Sequence, residues 1–261
     1  MLPALWVAKT GLSAQDMNLT TISNNLANVS TTGFKRDRAE FEDLLYQIRR
    51  QPGGQSSQDS ELPSGLQLGT GVRIVGTQKI FTAGSLQTTE QPLDMAINGR
   101  GFFQVLMPDG TVSYTRDGSF HLSSDGQVVT SNGFALEPAI MLPPEVRTFT
   151  VGEDGTATVT TAGNPQPQIV GNIQITDFVN PAGLEAIGNN LFLETASSGA
   201  PQDGTPGLNG LGTVLQNTLE NSNVSVVEEL VNMITTQRAY EMNSKVISTA
   251  DQMLSYVTQQ L

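Results

Sequence analysis

Side chains able to do nucleophilic, acid-base or metal chemistry are scarce in this sequence. His121 is the only histidine and cysteine is absent. No serine sits in a G-x-S-x-G elbow, so neither a thiol nor a serine nucleophile has a partner base. His121 lies in an alternating pattern that places Phe120 and Leu122 on the face opposite to it, which is the setting of an exposed strand histidine. Zinc would need ligands that the chain does not supply. Carboxylates are plentiful, and a glycosidase-type pair would have to be drawn from them. In the middle of the chain, however, the Asp residues fall mainly in turn dipeptides such as Asp109-Gly110, Asp117-Gly118, Asp125-Gly126 and Asp154-Gly155, where local backbone geometry accounts for them. Gly69-Thr70-Gly71 and Gly99-Arg100-Gly101 lack the Lys-Ser/Thr and the following helix that a phosphate cradle requires, and read as tight backbone positions. Asn-Val-Ser at Asn28 and at Asn223 matches a glycosylation acceptor, a tripeptide that also arises by chance. The expectation is a protein with no catalytic, cofactor-binding or metal-binding residues, and not an enzyme.

The elements that would have to carry any function are bounded by composition. The 261 residues suffice for one or two domains with an apolar core. With 13 Lys plus Arg against 25 Asp plus Glu, the net charge is -12, which would repel a nucleic-acid backbone or an anionic membrane surface. No run approaches the about 18 apolar residues of a membrane span. MLPALWVAK followed by GLSAQDMNLTT has neither the basic start nor the cleavage site of a signal peptide, so a route out of the cytoplasm is expected to leave the N-terminus uncleaved.

Both ends carry helical periodicity. Leu5, Leu12, Leu19 and Leu26 recur every seven residues, each followed three residues later by Ala8, Gln15, Ile22 and Val29, a seam with one polar lapse at Gln15. Periodicity alone fits an ordinary amphipathic core helix as well as an assembly helix. At the other end Val226, Met233, Tyr240, Ile247, Leu254 and Leu261 form one ladder, and its companion row begins at Leu230 but is otherwise polar: Gln237, Ser244, Asp251 and Thr258. Ser225 with Glu228 has the form of a capping box that starts this helix. Between the ends, alternating segments predict antiparallel strands at 71–79, 111–115, 119–123, 127–130, 148–151 and 168–177, with successive hairpins at the first three Asp-Gly turns. Gly-, Pro- and Ser-rich stretches at 51–70 and 196–212 separate helix from strand material. The fold class is α+β, with N- and C-terminal helices forming a coiled-coil-like layer around an inserted antiparallel β-rich domain. The divisions are 1–45, pairing with 213–261; an extended segment 46–72; and the β-rich domain 73–212.

NNLANVSTTGFKRDRAEFEDLL at 24–45 resembles the N-terminal signature of the flagellar rod and hook axial proteins, and NVSVVEELVNMITTQRAYEMNSKVISTADQML at 223–254 resembles their C-terminal signature. INGRGFFQV, YTRDGSF, NPAGLEAIGNNLF and SSGAPQDGTPGLNGLG match the family pattern in order, so the resemblance spans the chain. Residues 46–72 are similar to the segment that sets distal-rod members apart from the bendable hook. Its candidate anchors are Pro52, Leu62, Pro63, Leu66 and Leu68.

The resemblance implies a structural subunit exported unfolded through the flagellar type III apparatus. It would add to a rigid helical homopolymer crossing the periplasm in the basal body, with proximal-rod proteins, hook-side axial proteins and the surrounding L/P ring as partners and no membrane insertion. It implies an assembly interface at Leu5, Leu12, Leu19, Ile22, Leu26, Val29, Val226, Leu230, Met233, Tyr240, Ile247 and Leu254. A proximal-rod or hook subunit is the alternative within the family. A secreted β-rich carbohydrate-binding module is the alternative outside it, although the single tryptophan, Trp6, lies in the terminal helix.

Overall fold

A computed structural model describes residues 3–53, 55–57, 60–61 and 63–259. The chain is α+β, with a helix near each end and antiparallel strands between them. It divides into two units: Met1–Ala27, Asp37–Gln78 and Ser225–Leu261 form one, and Asn28–Arg36 with Lys79–Val224 form the other.

In the helical unit, α1 (Pro3–Ala27) packs against α2 (Val226–Gln259). Asn25 Nδ2 donates to Glu229 Oε1 at 3.4 Å and Asn18 Nδ2 to Thr236 Oγ1 at 3.1 Å. Gly11 abuts Asn243, whose Nδ2 would lie 3.0 Å from a Cβ added there. Each step of seven back along α1 meets a step of seven forward along α2, so the helices are antiparallel and in a fixed heptad register. Small and polar side chains let the two backbones approach, and the residues buried along the contact are Ala8, Ala14, Thr21, Ile22 and Asn25 on α1 and Glu229, Thr236 and Ala250 on α2. The strand Asp37–Asp43 pairs with Val72–Lys79, and Tyr46–Arg50 pairs antiparallel with Leu66–Gly69. Gly71, at φ 121°, packs against Thr10, and its backbone angle explains the tight Gly69-Thr70-Gly71 turn.

The β unit holds the apolar core. A nine-stranded sheet centres on Phe102–Leu106, which is flanked by Val112–Thr115 and Ala135–Glu137, and a three-stranded sheet comprises Val146–Val151, Thr156–Thr161 and Asn164–Asn172. The central strand is buried on both faces. Phe103 enters one cluster with Phe120, Leu136, Ile140 and Ile175, while Phe102 enters another with Tyr114, Phe178 and Phe192. Rings in the second cluster meet edge to face, the closest being Tyr114 and Phe178 at 4.8 Å.

Two sequence expectations are corrected. Asp117-Gly118 closes no hairpin: Val112–Thr115 pairs with its neighbours Phe102–Leu106 and Leu191–Leu193, while Phe120–Leu122 pairs onward with Val128–Thr130. The dipeptide instead lets the chain pass close to Met95, whose N–H donates to the Gly118 carbonyl at 3.0 Å. The segment 168–177 is two strands, Asn164–Asn172 and Ile175–Asp177, and they belong to different sheets.

Burial, with Glu194 and Asp203 nearby, pushes the Tyr114 hydroxyl up to about 12. The fold therefore holds this proton above the ordinary tyrosine value, and the associated stability, present below pH about 10, is lost as pH rises through about 12. In an absorbance titration, one of the four tyrosines is expected to ionise only near pH 12 or on unfolding, and Tyr114→Phe should abolish that late phase. A profile unchanged by Tyr114→Phe would contradict the assignment.

Candidate functional site

The predicted assembly residues take distinct positions. Ile22 is buried and Leu5, Leu12, Leu19 and Leu26 are half-buried, the last three directly following Gly11, Asn18 and Asn25. Half-buried Val29 lies past the end of α1, in the β unit. On α2, Met233 and Ile247 are half-buried, whereas Val226, Leu230, Tyr240 and Leu254 are exposed. The structure thus places the predicted rows beside the seam, and the seam itself is made of small and polar residues.

A second apolar row was missed. Val227, Val231, Ile234, Met242, Val246 and Met253 are all exposed, Val227 at 73% and Met242 at 64%. At about 3.6 residues per turn Val227, Val231 and Ile234 fall on the side of α2 away from Glu229 and Thr236, whereas Val246 and Met253 lie within a turn of Asn243 and Ala250 on the seam side. A helix that is apolar on opposite sides belongs in the interior of something larger than one chain. Val227 and Ile234 are seven apart, but the stripe ends there, since Glu241 and Ser248 follow at the next two sevens, so it gives no long ladder. Leu66 and Leu68 are also exposed, together with Tyr46 and Ile48 on the paired strand, as are Pro52 and Pro63; Leu62 lies outside the described residues. Trp6, Val7 and Leu68 line a groove of about 270 Å³ within the helical unit.

The candidates for chemistry are dispersed. His121 is exposed, with Nε2 3.3 Å from Ser131 Oγ. Asp109 is held below the usual carboxylate range by the Thr111 hydroxyl and then by the Thr111 N–H, and Asp154 by the N–H and then the hydroxyl of Thr156, both being local turn bonds. Among the described residues no group of three or more His, Asp or Glu could hold a metal ion, and no helix is long and apolar enough to cross a membrane. The Asn223 side chain is spent on structure: Nδ2 donates to the Ile80 carbonyl at 2.7 Å and Oδ1 accepts from the Arg36 N–H at 2.8 Å.

The signature motifs instead build a buried polar knot in the β unit. Thr32-Gly33-Phe34-Lys35 brings Lys35, 1% exposed, to Glu220: Nζ donates to Oε1 at 2.6 Å and to the Thr82 carbonyl at 2.8 Å. Glu220 Oε1 also accepts from the Gly84 N–H at 2.9 Å, and Oε2 accepts from Arg116 Nη1 at 3.4 Å. Arg116, from the YTRDGSF motif, donates to the carbonyls of Ile97 and Gly99 at 3.2 and 2.6 Å. Burial pulls Lys35 and Arg116 below their ordinary values despite the carboxylate between them. In the helical unit Asn25 forms a two-bond clamp on the backbone of Asp37, each bond 2.8 Å. These partners are too far apart in sequence for spacing to reveal them.

Helices that leave apolar rows exposed, and signature residues spent on internal positioning, describe a structural subunit of an assembly. Family models agree: "Flagella basal body rod protein" matches residues 5–35, "Flagellar hook protein FlgE/F/G D1 domain" matches 96–159, and "Flagellar basal body rod FlgEFG protein C-terminal" matches 215–260. The chain is 57% identical to the flagellar basal-body rod protein FlgG of Buchnera aphidicola from Schizaphis graminum, over 99% of this chain and all of that protein. It is 49% identical to FlgG of Caulobacter vibrioides over 98% of both chains, and 30% identical to the flagellar hook-basal body complex protein FlhP of Bacillus subtilis over 98% of both. The chain belongs to the flagellar basal-body rod protein FlgG family.

Gly33 tests the knot's geometry. At φ 68°, a Cβ there would sit 2.6 Å from the Asp117 backbone nitrogen. Gly33→Ala should lower stability by about 1–3 kcal/mol, read as a lower urea midpoint at unchanged slope. An unchanged midpoint would refute the tight packing of this turn.

Proposed function

We propose that the chain is the structural subunit of a flagellar distal rod, polymerising into a rigid helical tube that carries motor torque across the periplasm to the hook and leaves a central export channel. It acts without catalysis. Residues 1–45 and 213–261 form the inner helical layers, 73–212 is the inserted β-rich domain, and 46–72 lies against neighbouring subunits and limits their sliding. Proximal-rod and hook-side axial proteins cap its ends, the L/P ring surrounds it, and the type III apparatus delivers it without removing its N-terminus.

The observation that carries the reading is the second apolar row on α2. One side of the helix is used by α1 through a seam of small and polar residues, and the other side keeps Val227, Val231 and Ile234 exposed. Burying a Val or Ile side chain stabilises by about 1.5–3 kcal/mol, so a row of this kind favours association strongly. Identical subunits joined head to tail by unlike faces make an open helical polymer, whereas a self-complementary face would close into a dimer. The sparse charge of α1, where Lys9 and Asp16 are the only charged residues, suits burial among helices.

Val231→Asp with Ile234→Asp places two charges on the exposed row and touches no seam residue. The purified variant should keep the parent's urea midpoint within about 0.5 kcal/mol, as surface changes do, yet should form no rods by electron microscopy and should not restore motility to a strain lacking the native subunit. Normal rods with this variant would overturn the assembly role of the row.

A further inference from the structure

We propose that Glu220 is a latch that makes the three chain segments entering and leaving the β unit lock together or not at all. The β unit comprises 28–36 and 79–224, so the chain enters or leaves it through 28–36, through the first residues after 79, and through the last residues before 224. Glu220 holds all three. Its backbone carbonyl accepts from the Gly33 N–H at 2.8 Å and its carboxylate takes Lys35 from the first segment. The same carboxylate takes the Gly84 N–H of the second, and Glu220 itself belongs to the third. Arg116 alone comes from the folded sheet, at the end of the strand Val112–Thr115.

Charge makes the closure all-or-none. Lys35 and Arg116 are both buried, and Glu220 is the carboxylate common to them. Until it arrives, closing the knot would bury two like charges, and once it arrives each cation is paired. Lys35 spends a second bond on the Thr82 carbonyl, and the Asn221 N–H donates to the Ser85 carbonyl at 2.9 Å, so the middle segment is tied to both of the others. Arg116 reaches the carboxylate from a finished sheet edge. The connectors that lead to α1 and α2 therefore gain fixed paths only after the β sheet has formed, which sets an order of folding within one subunit.

Hydrogen exchange on the full-length monomer tests it. In Glu220→Gln, exchange at Gly33, Ile80, Gly84 and Asn221 should rise together by about tenfold or more, the factor expected for loss of charge-assisted bonds, while the strands Phe102–Leu106 and Val112–Thr115 keep their protection. Glu220→Asp, which retains charge but has one methylene less reach, should show the same pattern more weakly, and it carries the test if Glu220→Gln fails to fold. Unchanged connectors, a rise at Gly84 alone, or an equal rise across the central strands would each overturn the latch.

Discussion

The close approach of α1 and α2 governs what the rest of the molecule can do. Two helices that meet over Gly11, Asn18 and Asn25 on one side and Glu229, Thr236 and Asn243 on the other satisfy each other with small groups and side-chain hydrogen bonds. Such a seam gains less from apolar burial than a leucine seam would, but it specifies direction and register, because a buried polar group displaced from its partner loses a bond without regaining water. Its second effect is to leave the large apolar side chains unused. Leu5 to Leu26 flank the seam and Val227, Val231 and Ile234 face away from it, so the pair retains apolar surface for further contacts.

The β unit solves a different problem. It must hold three connecting segments in place, and it does so with a buried carboxylate and two buried cations. Replacing such a cluster by apolar side chains is often neutral or stabilising, so its presence argues for geometric definition more than for stability. The residual cost is visible at Arg116, whose Nε is the one buried side-chain nitrogen lacking a hydrogen-bond partner among the described residues, with the guanidinium lying over the Phe102 ring at 5.4 Å. Asn25 and Asn223 do comparable work by imitating a backbone amide: each both donates to a main-chain carbonyl and accepts from a main-chain N–H.

Much of this was legible in the sequence, for identifiable reasons. Helical periodicity located both helices because Leu5 to Leu26 and Val226 to Leu254 repeat along a single stripe. Asp109-Gly110, Asp125-Gly126 and Asp154-Gly155 located hairpins because only a few residue types suit such turns. Asp117-Gly118 misled because the same dipeptide also serves where one backbone passes another. The heptad search found the stripes beside the seam and missed the seam, since Gly, Asn and Thr carry no hydrophobic signal. The knot was illegible because Lys35 and Glu220 lie 185 positions apart, and a lysine after a turn reads as solvated unless its partner is known.

The central claim is that the polar ladder joins α1 to α2 of the same chain and leaves the apolar rows free for neighbours. The absence of cysteine makes a direct measurement possible. Asn18→Cys with Thr236→Cys, whose native side chains meet at 3.1 Å, should on mild oxidation form a disulfide within one chain, seen as faster electrophoretic migration of the monomer, and the cross-linked protein should still assemble into rods. Disulfides formed only between chains, or a cross-linked monomer that no longer assembles, would contradict the account.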